Sequence, residues 1–424
     1  MSEKYDLVII GGGLAGMAAA FFASQRKLQT AVVASTAGGL LFASGVLDLL
    51  GIHPIGEQRC WTNPWQGIAA LRRDCPKHPY ALVADSDLAA SWQEFLQFLA
   101  QGGLHYQGRT NHNVTLITGF GTLKTTFRVP RTMWPGVLGL LEKKDALIVD
   151  FKGMKEFRAS QIVENARPVW PSLRAVTLSF PFGFPGAERH NVAMAQALQS
   201  PEVLTRLASS IRPLVGQAEL IGVPSIVGLQ RAEKLLAELA EQVGVPFFEI
   251  PAMPPSVPGL RLKETLEGRL TSRGVRFLTG RRAVAVQTRQ RHCQSVIVRG
   301  EHYEKVLTTR GVLLASGRFL GGGLRAERGR LCEAILGLPV YQPQTREQWH
   351  RQRFLDPRGH PINQAGLAVD RFMRPIGCDG HCAYENLFAV GSLLAHQDWM
   401  RMKCGAGLAL ATAYAAVTSF IDSQ

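Results

Sequence analysis

Three glycines near the start of the chain are spaced so that they could hold a phosphate. A short apolar run over residues 6–10 leads into Gly11, Gly13 and Gly16, and an alanine-rich stretch follows. In this strand–glycine–helix context the first glycine permits a tight turn, the second lets a pyrophosphate approach, and the third lets helix and strand pack closely. The free N–H groups and the helix dipole then favour an anion. We therefore expect a dinucleotide at this turn.

The end of the second predicted strand bears on which dinucleotide binds. An acidic residue about 20 positions after the glycines usually binds the adenosine ribose of NAD or FAD. Here residues 30–34 are followed by Ser35 and Thr36, so no carboxylate stands at that point. Ser35 offers a weaker bond to a ribose hydroxyl. The lack of an arginine there argues against the 2′-phosphate of NADP.

Three later segments favour a flavin. Residues 311–317 are apolar and end in Ala-Ser-Gly, residues 386–392 end in Gly-Ser, and residues 403–407 open a second small-residue helix. This order of segments resembles the FAD-dependent oxidoreductases of the fumarate-reductase and glutathione-reductase type. The resemblance implies that Gly317 and Gly391 lie along the cofactor and that the last helix points its N-terminus at the flavin ring.

Three longer motifs give a closer resemblance. They are Ala-Ser-Gly-Val-Leu-Asp-Leu-Leu at 43–50, Pro-Pro-Ser-Val-Pro-Gly-Leu-Arg-Leu at 254–262 and Ala-Ser-Gly-Arg-Phe-Leu-Gly-Gly-Gly-Leu at 315–324. Over residues 5–50 and 250–417 the chain resembles the B-subunit family of the anaerobic glycerol-3-phosphate dehydrogenases. The resemblance implies a flavoprotein with FAD, or alternatively FMN. It also implies two partners, a catalytic flavin subunit and an iron–sulfur subunit that reaches the quinone pool.

Candidate reactive residues lie just before the last predicted helix. Oxidation of a carbinol needs a base near the flavin, and a small anionic substrate needs cationic donors. We predict His396, Arg401 and Lys403 as the catalytic residues. The residues predicted to contact the cofactor are Gly11, Gly13, Leu14, Ala15, Gly16, Ser35, Ser44, Gly45, Gly317, Gly391, Ser392, Gly405, Ala406 and Gly407.

The cysteine pattern indicates whether the chain binds a metal, and the first residues indicate whether it carries a signal peptide. The seven cysteines are scattered and form no C-x-x-C pair, which argues against a disulfide framework and against an iron–sulfur cluster in this chain. Cys378, His381 and Cys382 lack a fourth ligand, so we predict no metal site. Charges at Glu3 and Asp6 indicate a strand rather than a signal peptide. No long apolar run is free of polar interruption. We expect a cytoplasmic subunit without a membrane span.

The formal net charge of +14 and the pI of about 9.8 favour anionic partners. These could be acidic protein subunits, lipid headgroups at the inner face of the cell membrane, phosphorylated substrates or RNA. Two other functions stay open. The glycine-rich start is similar to that of FAD-dependent RNA-modifying enzymes, although the long match over 250–340 argues against nucleic acid. The chain could also be a non-catalytic Rossmann-like scaffold subunit of a redox complex.

The pattern as a whole predicts an α/β fold. We expect a Rossmann-like FAD/NAD(P)-binding domain with a parallel sheet and a small antiparallel meander at 283–308, plus an inserted α+β domain. The predicted parts are 1–50 and 251–323 for the flavin-binding domain, 51–250 for an inserted substrate or partner domain, 324–384 for a loop-rich excursion and 385–424 for the C-terminal flavin-binding part. Inside the insertion we predict helices at 92–100, 192–214 and 232–243, and strands at 146–151, 218–222 and 245–250.

Overall fold

A computed structural model describes residues 3–36, 38–183, 188–301 and 303–424. The helices in these ranges are α1 (Leu14–Gln25), α2 (Pro64–Asp74), α3 (Asp85–Gln101), α4 (Trp134–Glu142), α5 (Ala159–Ala166), α6 (Asn191–Ala197), α7 (Pro201–Ile211), α8 (Ala232–Val243), α9 (Val257–Ser272), α10 (Trp399–Met402) and α11 (Gly405–Asp422). The strands are β1 (Glu3–Ile10), β2 (Thr30–Ala34), β3 (Tyr106–Gln107), β4 (Val114–Ile117), β5 (Leu123–Thr126), β6 (Val129–Pro130), β7 (Ala146–Phe151), β8 (Leu173–Leu178), β9 (Leu220–Pro224), β10 (Phe247–Ile250), β11 (Arg276–Thr279), β12 (Arg282–Arg289), β13 (His292–Arg299), β14 (Glu304–Leu314), β15 (Leu324–Ala326), β16 (Leu331–Glu333) and β17 (Leu387–Ala389).

The chain divides into two compact units. The first contains Met1–Gly39, Asp48–Leu99 and Leu266–Gln424, and the second contains Leu40–Leu47 and Ala100–Thr265. This division differs from the predicted boundaries, because residues 51–99 and 324–384 fall in the first unit and residues 40–47 fall in the second.

The sheet of the first unit has the strand order β11-β2-β1-β14-β13-β12, and β17 pairs with β14. Strands β11, β2, β1, β14 and β17 are parallel, whereas β12, β13 and the first part of β14 form an antiparallel meander. The predicted Rossmann-like sheet with an added meander is therefore confirmed. His302, inside the predicted meander, lies outside the described residues.

Two buried helices cover one part of this sheet. Helix α1 is buried from Gly16 to Ala23, and its Phe21 ring stacks on Phe98 of α3 with the centroids 4.5 Å apart. Helix α11 packs beside α1. Within the described segments, α11 is the one helix long and apolar enough to cross a membrane, and most of it is buried in the unit. Packing of α3 on α1 explains why residues 51–99 group with the first unit.

The second unit is built on its own sheet, with the order β10-β9-β7-β8 and parallel pairing throughout. Two antiparallel pairs, β3–β6 and β4–β5, accompany it. Parallel neighbours need crossover connections, and the helices between β7 and β10 supply them. The centre of this unit is thus α/β, whereas the expectation was α+β. Its core includes the fully buried Trp170, which stacks on Phe248 with the ring centroids 6.0 Å apart.

Candidate functional site

Two glycines of the turn between β1 and α1 leave no room for side chains. Gly11 has a φ of +126°, and a Cβ placed there would lie 2.2 Å from the carbonyl oxygen of Ala315. A Cβ at Gly16 would lie 1.9 Å from the carbonyl oxygen of Gly11. These two positions therefore require glycine to let β14 and α1 approach the turn.

Gly13 is the N-cap of α1 and differs from its neighbours. A Cβ there would meet no atom within 4 Å, so the space beside it is open. No side chain caps the N-terminus of α1, and its first turn contains no acidic residue. Leu14 and Ala15, also predicted at the cofactor, begin this helix half-buried. An uncapped helix start with open space beside it fits the pyrophosphate of a dinucleotide.

The carboxyl end of β2 lies beside this turn. Ser35 and Thr36 are exposed just after the buried strand. The Thr36 hydroxyl accepts a hydrogen bond from the N–H of Gly38 at 3.2 Å, and a Cβ on Gly38 would lie 2.9 Å from the Cα of Gly13. The predicted position of Ser35 near the phosphate turn is thus compatible with contact to a ribose.

The ends of β14 and β17 meet the same turn. Gly317, with a φ of +67°, follows Ser316, whose Oγ is buried and has no hydrogen-bond partner among the described residues. Gly391 has a φ of +70°, and a Cβ there would lie 2.6 Å from the Cβ of Ala15. The Ser392 Oγ is 3.7 Å from the Cβ position of Gly317. Three strand ends therefore converge, and the buried Ser316 hydroxyl has no hydrogen-bond partner among the described residues.

Helix α11 is tied to this arrangement through Thr412. The N–H of Gly391 donates to the Thr412 Oγ1 at 3.0 Å, and the Thr412 hydroxyl donates to the carbonyl oxygen of Leu408 at 2.6 Å. The last helix of the chain is therefore anchored to the end of β17, close to the glycine turns.

The start of α11 is closely packed by protein groups. The N–H of Gly407 donates to the carbonyl oxygen of Asp48 at 2.8 Å, and a Cβ on Gly407 would lie 2.2 Å from the Tyr80 hydroxyl. A Cβ on Gly405 would lie 2.9 Å from the Trp399 ring. Gly405 and Gly407 thus make room for aromatic side chains of this chain, and Ala406 between them is buried.

Cys404 precedes this helix and is fully buried. Burial first, and then the charges of Asp48 and Asp398, raise the pKa of its thiol well above the usual value. A helix N-terminus alone would lower the thiol pKa, but here desolvation dominates. Cys404 therefore stays protonated and acts as a packing residue.

Ser44 and Gly45 belong to the second unit. Gly45 has a φ of +84°, and a Cβ there would lie 2.3 Å from the Cβ of Pro258. Its carbonyl oxygen accepts a hydrogen bond from the Tyr106 hydroxyl at 2.8 Å. These contacts within the second unit explain why glycine is needed at position 45. The predicted role of Ser44 and Gly45 in cofactor binding stays a prediction.

His396 is held firmly in the turn before α10. Its φ is +63°, its N–H donates to the carbonyl oxygen of Gln364 at 2.9 Å, and its ring centroid lies 4.0 Å from that of Tyr341. Burial, and secondarily the charge of Lys77, lower the pKa of the imidazole. A neutral imidazole at physiological pH is able to accept a proton.

Arg401 and Lys403 differ in their surroundings. The Arg401 guanidinium donates to Asp398 Oδ2 at 3.1 Å, and Asp398 is buried and caps α10. The charge of Arg401 is therefore largely balanced within the protein. Lys403 is half-buried with a φ of +51°, and its carbonyl oxygen accepts the N–H of Gly51 at 3.1 Å. The backbone of Lys403 thus joins the end of α10 to the start of the segment that leads to α2.

Sequence reasoning missed His78, which is fully buried. Its Nδ1 accepts the N–H of Tyr80 at 3.1 Å, and its Nε2 has no partner among the described residues. Burial, then the nearby His53 and His396, lower the pKa of His78 to about 3. The Tyr80 hydroxyl in turn donates to the carbonyl oxygen of Leu49 at 2.6 Å, beside the start of α11. No periodicity or motif in the sequence marks His78, because its position depends on these tertiary contacts.

Metal ligands do not cluster in the described parts of the chain. In residues 3–36, 38–183, 188–301 and 303–424, no group of three or more His, Cys, Asp or Glu side chains is arranged to hold a metal ion.

Comparison with known proteins agrees with this geometry. A family model described as FAD binding domain matches residues 6–408. The B-subunit of anaerobic glycerol-3-phosphate dehydrogenase from Pectobacterium carotovorum subsp. carotovorum (strain PC1) is 30% identical, and the match covers 97% of this chain and 97% of that protein. The protein of the same name from Vibrio vulnificus (strain YJ016) is 28% identical, over 98% of this chain and 95% of its own length.

The chain belongs to the B-subunit family of the anaerobic glycerol-3-phosphate dehydrogenases, and it contains an FAD binding domain. The predicted family, the flavin-dependent oxidoreductase class and FAD as the cofactor are thereby confirmed, with FAD favoured over FMN. Among solved structures, 3-ketosteroid delta1-dehydrogenase from Sterolibacterium denitrificans is 10% identical, covers 100% of both chains and has a TM-score of 0.47. The assignment of individual residues to FAD or to catalysis stays a prediction.

Proposed function

We propose that this chain is a flavoprotein subunit that passes electrons from a phosphorylated or small hydroxylated substrate toward quinone, in a complex of the glycerol-3-phosphate dehydrogenase type. The observation that carries the proposal is the convergence of three glycine turns at the adjacent carboxyl ends of β1, β14 and β17. In open parallel sheets, ligands bind outside these strand ends. The names of the relatives supply the class of reaction.

In this proposal the first unit holds FAD. The N-terminus of α1 at Gly13 binds the pyrophosphate, Ser35 binds the adenosine ribose, and the Ser316 hydroxyl and the Gly391 turn lie along the rest of the cofactor. Bound FAD supplies the acceptor for two electrons, and the protein supplies the binding and orientation.

His396 acts as the base for the substrate. Its pKa is lowered, so at neutral pH one ring nitrogen is free to take the proton of a substrate hydroxyl. Contact with Tyr341 and the backbone bond to Gln364 fix the position of the imidazole. Lys403 provides the cation for an anionic substrate group or for reduced flavin. The Arg401 guanidinium donates to Asp398.

The proposed partners are other redox subunits, namely a catalytic flavin subunit and an iron–sulfur subunit. The relatives are named as subunits, and the charge of +14 favours acidic or anionic surfaces. We place the complex in the cytoplasm, at the inner face of the cell membrane, where a peripheral protein can reach quinone.

The test is the visible spectrum of the purified chain, followed by chromatography of the released cofactor. We expect flavin bands and FAD. Anaerobic addition of glycerol 3-phosphate should bleach the oxidised band if this chain is catalytic by itself. His396→Ala should then slow bleaching about 100-fold or more while chemical reduction by dithionite is unchanged. A chain that neither contains flavin nor takes up added FAD would be a scaffold, and the proposal would be wrong.

A further inference from the structure

Two exposed turns of the first unit present the same three residue types. Arg318-Phe319-Leu320 follows β14, and Arg353-Phe354-Leu355 lies in the long segment before β17. Phe354 and Leu355 are 86% and 83% exposed, and Leu320 is 75% exposed. Single exposed apolar residues need no explanation, whereas neighbouring exposed apolar residues can together form an interaction surface.

A third pair lies in the same neighbourhood. Trp399 and Met400 open α10 and are also exposed. The segment 359–363 links all three pairs through hydrogen bonds and close packing. We call the six side chains the apolar rim, defined by Phe319, Leu320, Phe354, Leu355, Trp399 and Met400.

The first and third pairs are tied to this segment directly. The Arg318 guanidinium donates to the carbonyl oxygens of Ile362 and Asn363. The Asn363 side chain donates to Asp398 Oδ2 at 3.1 Å, at the start of α10. A Cβ on Gly359 would lie 2.9 Å from the Arg401 Cδ. These two pairs therefore flank one short stretch of chain.

The middle pair is fixed by His360. Its Nδ1 accepts the N–H of Arg351 at 3.0 Å, and its Nε2 donates to the carbonyl oxygen of Phe354 at 2.9 Å. Asp356 accepts two bonds from the Arg358 guanidinium, at 2.9 and 2.8 Å. Because these bonds hold the backbone of the turn, the protruding side chains are presented on a fixed framework.

The three segments that carry the apolar rim have a positive net charge. The segments 317–323, 350–360 and 396–403 contain two carboxylates, Asp356 and Asp398. Each is bonded to an arginine of its own segment, Arg358 and Arg401 respectively. The guanidiniums of Arg318 and Arg351 bond backbone carbonyl oxygens rather than carboxylates. Arg353 adjoins the most exposed pair in the sequence.

We propose that the apolar rim inserts into the surface of a lipid bilayer that carries anionic headgroups. This inference rests on the proposed function and deepens it by naming the surface that contacts the membrane. Apolar tips flanked by arginines enter the interface while the cations contact headgroup phosphates. A second copy of the chain is disfavoured because cations would face cations. A protein partner would need a pocket for each protruding tip, whereas a fluid bilayer needs none.

The experiment is co-sedimentation of the full flavin-loaded chain with vesicles. One set contains equal amounts of phosphatidylcholine and phosphatidylglycerol, and the other contains phosphatidylcholine alone. We compare the wild type with Phe354→Ser/Leu355→Ser, with Arg353→Gln, and with the control Leu141→Ser on α4, where Leu141 is 59% exposed. Melting temperature and flavin content are measured for each variant.

We expect the wild type to bind the anionic vesicles. The double variant should bind about tenfold more weakly or worse, because both apolar side chains are lost. Arg353→Gln should bind about fivefold more weakly, as expected for one cation near an anionic surface. Leu141→Ser should bind as the wild type does.

Four results would overturn the proposal. They are no binding by a folded, flavin-loaded wild type, equal binding by the double variant, a wild-type dimer in light scattering that the double variant abolishes, and vesicle binding that begins only after a purified redox subunit is added. The third result would assign the rim to a second copy, and the fourth would assign it to a protein partner. If the protein has its normal flavin content, none of these four results contradicts the proposed function. A protein without flavin would refute the proposed function, independently of vesicle binding.

Discussion

The two parallel sheets of this protein end differently at their carboxyl edges. In the first unit, β1, β14 and β17 run into glycine turns, with an uncapped helix and, within the described residues, an unpaired Ser316 hydroxyl. In the second unit, β9 and β10 run into a buried ion pair between Arg261 and Glu249, which are both 5% exposed or less. We call the glycine-rich edge of the first unit the open edge, and the edge of the second unit, where the ion pair lies, the filled edge.

The filled edge is satisfied by its own residues. The Arg261 guanidinium donates to both Glu249 oxygens, at 2.6 and 2.8 Å, and to the carbonyl oxygens of Val227 and Gly228. Glu249 Oε1 also accepts the N–H of Val227 at 3.0 Å. These bonds engage the charges that a ligand would otherwise meet. A parallel sheet therefore provides a possible site, and the residues at the strand ends decide whether a ligand is needed.

The largest expected effect concerns the open edge. Gly13→Asp should abolish FAD binding, because a carboxylate would stand against the pyrophosphate at the start of α1. The variant should remain folded, since the space beside Gly13 contains no protein atom within 4 Å. Flavin absorbance per mole of protein and the melting temperature are the measurements.

Gly268→Asp on α9 is the matched control, since a Cβ there also meets nothing within 4 Å. It should keep its flavin. Full flavin content in Gly13→Asp would show that the open edge is not the FAD site, and the comparison between the two sheets would lose its functional meaning.

The second prediction concerns the filled edge. Arg261→Ala leaves Glu249 buried without its partner and should lower the free energy of unfolding by about 3–5 kcal/mol. Flavin content of the folded fraction should be unchanged. Urea unfolding followed by circular dichroism measures the change.

Arg261→Met combined with Glu249→Leu is the control, because replacing both charges with apolar groups avoids the buried unpaired charge. It should be much closer to the wild type in stability than Arg261→Ala is. If Arg261→Ala were as stable as the wild type, the ion pair would not stabilise the fold. A role for Arg261 in ligand binding would then be the better interpretation.

The sequence allowed much of both sheets to be predicted. The bounds of β2, β7 and α8 coincide with the predicted 30–34, 146–151 and 232–243. Strand β7 is apolar except for Asp150, because it is buried in a parallel sheet. Helix α8 is amphipathic and stops at Gly244, which has a φ of +86°. Local periodicity and a C-terminal glycine were sufficient signals.

Contacts between distant residues were not predictable in the same way. The filled edge depends on Glu249 and on Arg261 of the next helix, and no sequence spacing identifies such a pair as buried. Tyr80 meets the start of α11, more than 300 positions later. The ion pair between Arg401 and Asp398 could have been predicted from the sequence. The two residues are three positions apart, a spacing at which side chains on a helix lie close together. Helix α2, with its Asn63 cap, also carried a recognisable signal that was overlooked.

The third prediction concerns the buried imidazole beside the start of α11. The pKa of His78 falls from 6.5 to about 3 in the folded protein, so the folded state keeps the imidazole neutral. Below pH 6.5 the unfolded chain binds a proton there and the folded chain does not. Stability should therefore fall as the pH is lowered from 6.5 toward 3, by up to about 1.4 kcal/mol per pH unit for this group.

His78→Asn retains an acceptor for the N–H of Tyr80 and removes the titrating ring. Its free energy of unfolding, measured in urea at several pH values between about 7 and 5, should decline less steeply than that of the wild type. Parallel pH dependences for the two proteins would mean that His78 is not held neutral by the fold.

The smallest expected effect sharpens the comparison within the first unit. If the turn before α11 faces the flavin, Lys403 stabilises reduced anionic flavin. Lys403→Met should then lower the midpoint potential by about 10–20 mV, which corresponds to about 0.5–1 kcal/mol for a two-electron couple. Flavin content should stay unchanged, because the substitution leaves the α1 turn alone.

Lys305→Met is the control for this shift. Lys305 pairs with Glu3 at the amino end of β1, the opposite end of the strand from the glycine turn. Its removal should leave the potential where it was, because an exposed charge is screened by solvent and salt over that distance. Equal shifts in both variants would reveal a general effect of net charge. A shift confined to Lys403→Met would assign the open sheet edge, and the turn beside it, to the flavin.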